Sequence, residues 1–151
     1  MSVYKIPLDQ NVLEAAEERI TWTLTTLPRI CVSFSGGKDS GLMLHLTAGI
    51  ARKLKKKICV IFIDWEVQFS CTIDYVQSLR EQYSDVIEHF YWVALPLTTQ
   101  NSLSQYQPEW QCWDPNAEWV RQPPADAITD PAYFPFYQPG MTFEQFVRDF
   151  A

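Results

Sequence analysis

The stretch Val32-Ser-Phe-Ser-Gly-Gly-Lys-Asp-Ser-Gly41 joins a predicted strand to a predicted helix, and this junction indicates the fold class. Residues 29–34 form a short apolar run typical of a buried strand, and residues 40–55 have helical periodicity. The first amides of a helix lack acceptors, and the helix dipole favours negative charge there. Gly36 and Gly37 allow the backbone to approach an anion without a Cβ clash. We therefore predict an anion-binding turn at residues 35–40, called the phosphate loop below.

The side chains of the phosphate loop support this interpretation. Ser35 and Ser40 add hydroxyl donors, and Lys38 adds a positive charge that can stabilise a phosphate or a leaving group. Asp39 would repel phosphate, so its expected role is a ligand of Mg²⁺, directly or through water, or a helix cap. The spacing matches neither GxxxxGK[ST] nor GxGxxG.

The flanking sequence predicts alternating helices and strands. Helices are expected at residues 11–26, 40–55 and 72–83, and strands at 29–34, 57–63 and 87–95. This order predicts an α/β fold, with an open parallel sheet flanked by helices and a core domain at residues 1–95. The expected inward faces of the first two helices are Val12, Leu13, Ala16, Ile20 and Leu24, and Leu42, Met43, Leu46, Ile50 and Leu54.

Residues 96–151 differ in character from the core. Eight of the ten prolines lie in residues 96–140, which predicts a long irregular, aromatic segment. Thr142 and Gln145 form a capping-box start for a last helix. Its apolar face, Phe143, Phe146, Val147 and Phe150, needs a surface to cover. Either it packs back on the sheet, or it meets a partner protein, a second copy or further parts of a longer protein.

Two motifs resemble a known family. Ser35-Gly-Gly-Lys-Asp-Ser40 resembles the SGGxDS pyrophosphate loop (PP-loop) of the adenine nucleotide α-hydrolase-like superfamily. Phe62-Ile-Asp-Trp-Glu-Val-Gln-Phe69 resembles the phosphoadenosine phosphosulfate (PAPS) reductase-like proteins, closest to the branch that includes the immunoglobulin-binding regulator A type. The resemblance implies a Rossmann-like sheet of the HUP type, with a domain that is incomplete or truncated here, because members normally have further strands.

The resemblance also implies a set of site residues. The nucleotide, ATP or PAPS, would contact the phosphate loop and the end of the second predicted strand, through Ser35, Gly36, Gly37, Lys38, Asp39, Ser40, Ile63, Asp64 and Trp65. Lys38 and Asp39 would be the catalytic residues, with Asp39 as the ligand of Mg²⁺. Asp64 could instead cap the strand end, and Trp65 could stack on a base or pack at the rim. Glu66 could hold a metal ion, but it is expected to be solvated.

The cysteine pattern leaves the reaction open. Cys31 and Cys59 are expected in the core, and no iron–sulfur or zinc spacing is present. The Glu-Cys-Gly-x-His segment of the true reductases is missing, so Cys112, outside the predicted core, is the possible working thiol. The family implies adenylyl transfer with pyrophosphate release, or sulfonucleotide reduction. The alternative is an inactive nucleotide-binding regulator or partner-binding subunit.

Composition limits the partners. The net charge is −6, and residues 96–151 carry seven acids against two bases, which disfavours nucleic-acid binding. No stretch has the length and apolarity of a membrane span, and the first residues do not resemble a signal peptide. The expected location is the cytoplasm.

Overall fold

A computed structural model describes residues 9–101 and 104–151. It confirms the α/β class and the predicted alternation. The elements are α1 (Val12–Thr26), β1 (Cys31–Ser33), α2 (Lys38–Leu54), β2 (Ile58–Ile63), α3 (Ser70–Gln82), β3 (Ile87–Val93), β4 (Thr98–Gln100), β5 (Glu109–Gln111) and α4 (Phe143–Phe150). Within the described ranges, no helix combines the length and the apolar character needed to cross a membrane.

The central sheet has the order β1-β2-β3, and all three strands are parallel. Ser33 lies opposite Ile61, and Ile63 lies opposite Val93. The carboxyl ends of β1 and β2 therefore meet at the same edge of the sheet, where open α/β sheets bind their ligands.

The two faces of β2 contact different parts of the chain. Val60 and Phe62 lie in a core cluster with residues of α1, α2 and α3. Ile61 and Ile63 lie in a second cluster with residues from the C-terminal segment. Successive residues of a strand point to opposite faces, so β2 is buried on both sides.

The predicted inward faces of α1 and α2 are partly wrong. Leu42 and Met43 are exposed, and the buried stripe of α2 contains Gly41, Leu44, Thr47, Ala48, Ile50 and Ala51. In α1, Val12 and Leu13 are exposed, whereas Ile20 and Leu24 are buried. The buried face of α2 is rich in small residues, which allow the helix to pack closely on the core. This face therefore points inward, although the neighbouring face with Leu42 and Met43 is more hydrophobic.

The C-terminal segment packs back on the sheet. Its last helix begins with the predicted capping box at Thr142, and Phe146 is fully buried in the second cluster. An antiparallel pair, β4 with β5, lies in the part for which the sequence predicts irregular structure. Three-residue strands carry too few alternating positions to be recognised from the sequence.

Candidate nucleotide-binding site

The phosphate loop lies between β1 and α2, at the carboxyl edge of the sheet. The amide of Phe34 donates to the carbonyl of Ile61 over 2.9 Å, and the chain then turns through Gly36, whose φ is +77°. α2 begins at Lys38, two residues before the predicted start. Its first backbone bond runs from the amide of Gly41 to Gly37, over 2.8 Å. The amides before Gly41 lie at the helix N-terminus, where an anion is stabilised.

Two serine hydroxyls hold the loop in shape. The side-chain oxygens of Ser35 and Ser40 are 2.9 Å apart, and the Ser40 hydroxyl donates to the carbonyl of Gly37 over 3.1 Å. The amide of Ser35 donates to the Ser40 hydroxyl over 3.2 Å. These bonds join both ends of the loop and hold its shape, and the amide of Gly37 also donates to the Ser35 hydroxyl over 3.4 Å.

Lys38 and Asp39 form an exposed ion pair. The Nζ atom of Lys38 is 2.7 Å from Oδ1 of Asp39, and the two side chains are 89% and 88% exposed. Such pairs contribute little to stability, on the order of 0–1 kcal/mol. Both side chains are therefore able to exchange this contact for a ligand or a metal ion.

Gly36 is in close contact with α3. A Cβ atom there would lie 2.7 Å from Cγ2 of Thr72 and 3.1 Å from Cγ2 of Val76. Both neighbours have short, branched side chains that cannot swing away. The contact with α3 therefore requires glycine at this position, in addition to the positive φ.

Alanine at Gly36 should destabilise the protein more than alanine at Gly140. Both glycines have positive φ, but a Cβ atom at Gly140 meets nothing within 4 Å. We expect a loss of about 1–2 kcal/mol for Gly140→Ala, from the left-handed backbone alone, and a larger loss for Gly36→Ala. Gly49→Ala, in open space within α2, should stabilise by about 0.5–1 kcal/mol. Urea denaturation measures all three, and equal losses at Gly36 and Gly140 would contradict the contact with α3.

Asp64 lies directly after β2 and is fully buried. Its carboxylate accepts hydrogen bonds from Nε1 of Trp92 (2.8 Å) and the amide of Glu66 (2.9 Å), and it forms an ion pair with Arg121. Ile63, before it, is also buried. The carboxylate is thus occupied by internal partners, and a contact of either residue with adenosine stays a prediction.

Trp65 packs against the C-terminal segment. Its ring centroid is 5.7 Å from that of Phe143 and 6.5 Å from that of Trp110. The ring is half-buried, which corresponds to a packed aromatic at the rim. A stacking role on a base stays a prediction.

The prediction that Glu66 is solvated is wrong. The residue is 5% exposed and has a φ of +64°. Its carboxylate accepts from the amide of Trp113 over 2.6 Å and from the amide of Val120 over 2.9 Å. These donors lie about fifty residues away in sequence, so no local pattern indicates them.

Arg121 is a partner of Asp64 that the sequence does not reveal. Its Nη2 atom contacts the Asp64 carboxylate, and its guanidinium carbon lies 5.2 Å from the centroid of the Trp113 ring. Its side chain is only 22% exposed. In the described part of the chain, its Nε atom is buried without a hydrogen-bond partner. The only signal in the sequence is that Arg121 and Arg148 are the two bases of an acidic segment.

The expected positions of the cysteines are partly wrong. Cys112 is fully buried rather than outside the core, and burial raises the pKa of its thiol to about 12. A thiol with that pKa stays protonated at neutral pH and is a poor nucleophile. Cys31 and Cys71 are exposed, and Cys59 is half-buried. Cys31 lies on the face of β1 opposite the buried Val32, and the second core cluster takes its central-sheet residues from β2 and β3, so Cys31 is left exposed.

Comparison with known proteins places this site in a family. A family profile described as the phosphoadenosine phosphosulfate reductase domain matches residues 29–116, which contain the phosphate loop and the end of β2. Over all of its 151 residues the chain is 83% identical to YbdN, an uncharacterised protein of Escherichia coli strain K12, and it spans 37% of the length of that relative. Because the profile covers more than half of the chain, the chain belongs to the phosphoadenosine phosphosulfate reductase domain family.

Proposed function

We propose that the chain binds an adenine nucleotide, ATP or PAPS, with its terminal phosphate or sulfate groups in the phosphate loop. The observation that carries the proposal is the preorganised turn at residues 35–40, which presents helix N-terminal amides and Lys38 at the carboxyl edge of a parallel sheet. This is where open α/β sheets bind nucleotides. The family match supports the same class of ligand.

Lys38 and Asp39 have distinct roles in this proposal. Lys38 leaves its exposed partner and neutralises the phosphates, while Asp39 holds Mg²⁺. Among the residues that the structure describes, no three His, Cys, Asp or Glu side chains gather to hold a metal ion. The ion would therefore take most of its ligands from water and from the nucleotide, as Mg²⁺ commonly does.

The reaction that fits best is adenylyl transfer, in which an oxygen of water or of a second substrate attacks the α-phosphorus of ATP and pyrophosphate leaves. The loop amides and Lys38 would stabilise the charge that grows on the leaving pyrophosphate. Sulfonucleotide reduction requires an accessible, ionisable thiol, and burial makes Cys112 unsuitable for it. Cys71 is exposed and precedes Thr72, which contacts the phosphate loop, so it is the thiol to test for the reductive reaction.

Lys38→Ala should weaken nucleotide binding at least tenfold without a change in stability, because Lys38 is exposed and its loss removes one cation from the phosphates. Isothermal calorimetry with ATP and Mg²⁺ measures the effect. Lys53→Ala, at the other end of α2 and also exposed, is the matched control. Equal affinities in the two variants would show that Lys38 does not contact the nucleotide.

Asp39→Asn should reduce the dependence of nucleotide binding on Mg²⁺.

A turnover assay separates the reactions. Release of pyrophosphate together with AMP from ATP and Mg²⁺ indicates cleavage at the α-phosphate with water as the acceptor of the adenylyl group. Sulfite release from PAPS with a dithiol reductant, lost in Cys71→Ser and retained in Cys112→Ser, indicates reduction. Nucleotide binding with neither product indicates the regulator alternative, with residues 96–151 as the part that meets a partner.

A further inference from the structure

The residues directly after β2 lie beside the phosphate loop. β1 and β2 run parallel, with Ser33 opposite Ile61, and the amide of Phe34 binds the carbonyl of Ile61. The phosphate loop begins two residues after Ser33, and Asp64 follows three residues after Ile61. A nucleotide whose phosphates occupy the loop therefore extends its nucleoside over this edge or away from the protein.

A second segment, residues 113–121, is fixed to the end of β2; we call it the 113–121 loop. Trp113 donates through Nε1 to the carbonyl of Asp64 and through its amide to Glu66, both over 2.6 Å. The amide of Val120 donates to Glu66 over 2.9 Å, and Arg121 forms the ion pair with Asp64. Both carboxylates are buried, so water does not compete for these bonds, and they hold the loop firmly.

Two valines next to these anchors are exposed. Val120 is 73% exposed and Val67 is 54% exposed. The amide of Val120 binds the side chain of Glu66, and Val67 follows Glu66 in sequence, so both valines flank the same buried carboxylate. Exposed apolar side chains suit the flat, weakly polar face of a nucleobase and not an anion.

We propose that the 113–121 loop is the wall of the binding site on the nucleoside side, and that the exposed side chain of Val120 contacts the base. Arg121 is a positioning residue: it acts through Asp64 and keeps the wall in place. This inference rests on the proposed nucleotide binding. It assigns the base contact to a segment far in sequence from the phosphate loop.

Calorimetry with two ligands tests the wall. Inorganic pyrophosphate with Mg²⁺ probes the phosphate loop alone, and ATP with Mg²⁺ probes the loop and the wall together. Val120→Asn, at an exposed position, should weaken ATP binding about tenfold, as expected when one valine contact is lost, and leave pyrophosphate binding unchanged. Val12→Asn, at an 88% exposed valine of α1, should change neither affinity.

The double variant Asp64→Asn/Arg121→Gln tests whether the ion pair supports the nucleoside side of the site, which includes the positioning role. It removes both charges and retains side chains of similar size, so no uncompensated charge is buried. We expect weaker ATP binding with unchanged pyrophosphate binding and an unchanged circular dichroism spectrum. A variant that only perturbed the fold would weaken both ligands together, which would contradict the positioning role.

The outcomes separate this inference from the proposed function. The unsubstituted chain could bind pyrophosphate and ATP while Val120→Asn binds ATP as tightly as Val12→Asn does. In that case the 113–121 loop does not contact the base, and the proposed nucleotide binding stands. If the unsubstituted chain binds neither ligand, the proposed function and the wall both fail.

Discussion

Arg121→Ala is expected to lower the free energy of unfolding by about 3–5 kcal/mol, the usual cost of removing one partner of a buried ion pair. The carboxylate of Asp64 is completely buried and would retain only the donors from Trp92 and Glu66. Its negative charge would remain in a low-dielectric environment without a counterion. Urea denaturation followed by tryptophan fluorescence measures the loss.

The exposed pair of Arg148 and Asp149 provides the control. The arginine of this pair is 69% exposed and bonds its sequence neighbour. Arg148→Ala should therefore change the free energy of unfolding by less than about 1 kcal/mol. Similar losses for Arg148→Ala and Arg121→Ala would show that the Asp64 pair is not a buried anchor.

Phe146→Ala should also lower the free energy of unfolding by about 3–5 kcal/mol, because it leaves a large cavity in the second core cluster. The Phe146 ring is fully buried, and its centroid lies 5.1 Å from that of Phe134 and 5.3 Å from that of Phe136. Near-ultraviolet circular dichroism should show loosened aromatic packing, and urea denaturation should show the loss of stability.

Phe69→Ala is the matched control for the aromatic cluster. The side chain of Phe69 is 80% exposed, so its removal creates no cavity. We expect a change within about 0.5 kcal/mol. If Phe146→Ala were as mild as Phe69→Ala, α4 would not cover the sheet in solution.

The local features of this protein are determined by the sequence itself. The capping boxes at Asn11 and Thr142, the apolar run of β2 and the glycine turn after β1 each depend on residues within a few positions of one another. Such signals give the order of elements, the parallel sheet and the phosphate loop. They also bring residues 35–40 to the carboxyl edge of the sheet, where the function is proposed.

Which polar groups are buried near that edge depends on contacts between distant parts of the chain. The sequence predicts that Glu66 is solvated and that Asp64 contacts the nucleotide or caps the strand. Their partners Trp113, Val120 and Arg121 lie 47–57 residues away. The same holds for Cys112, which is buried because residues 96–151 fold back over β2. Burial and long-range hydrogen bonds depend on which surfaces meet after folding, and periodicity within one element carries no information about its partner.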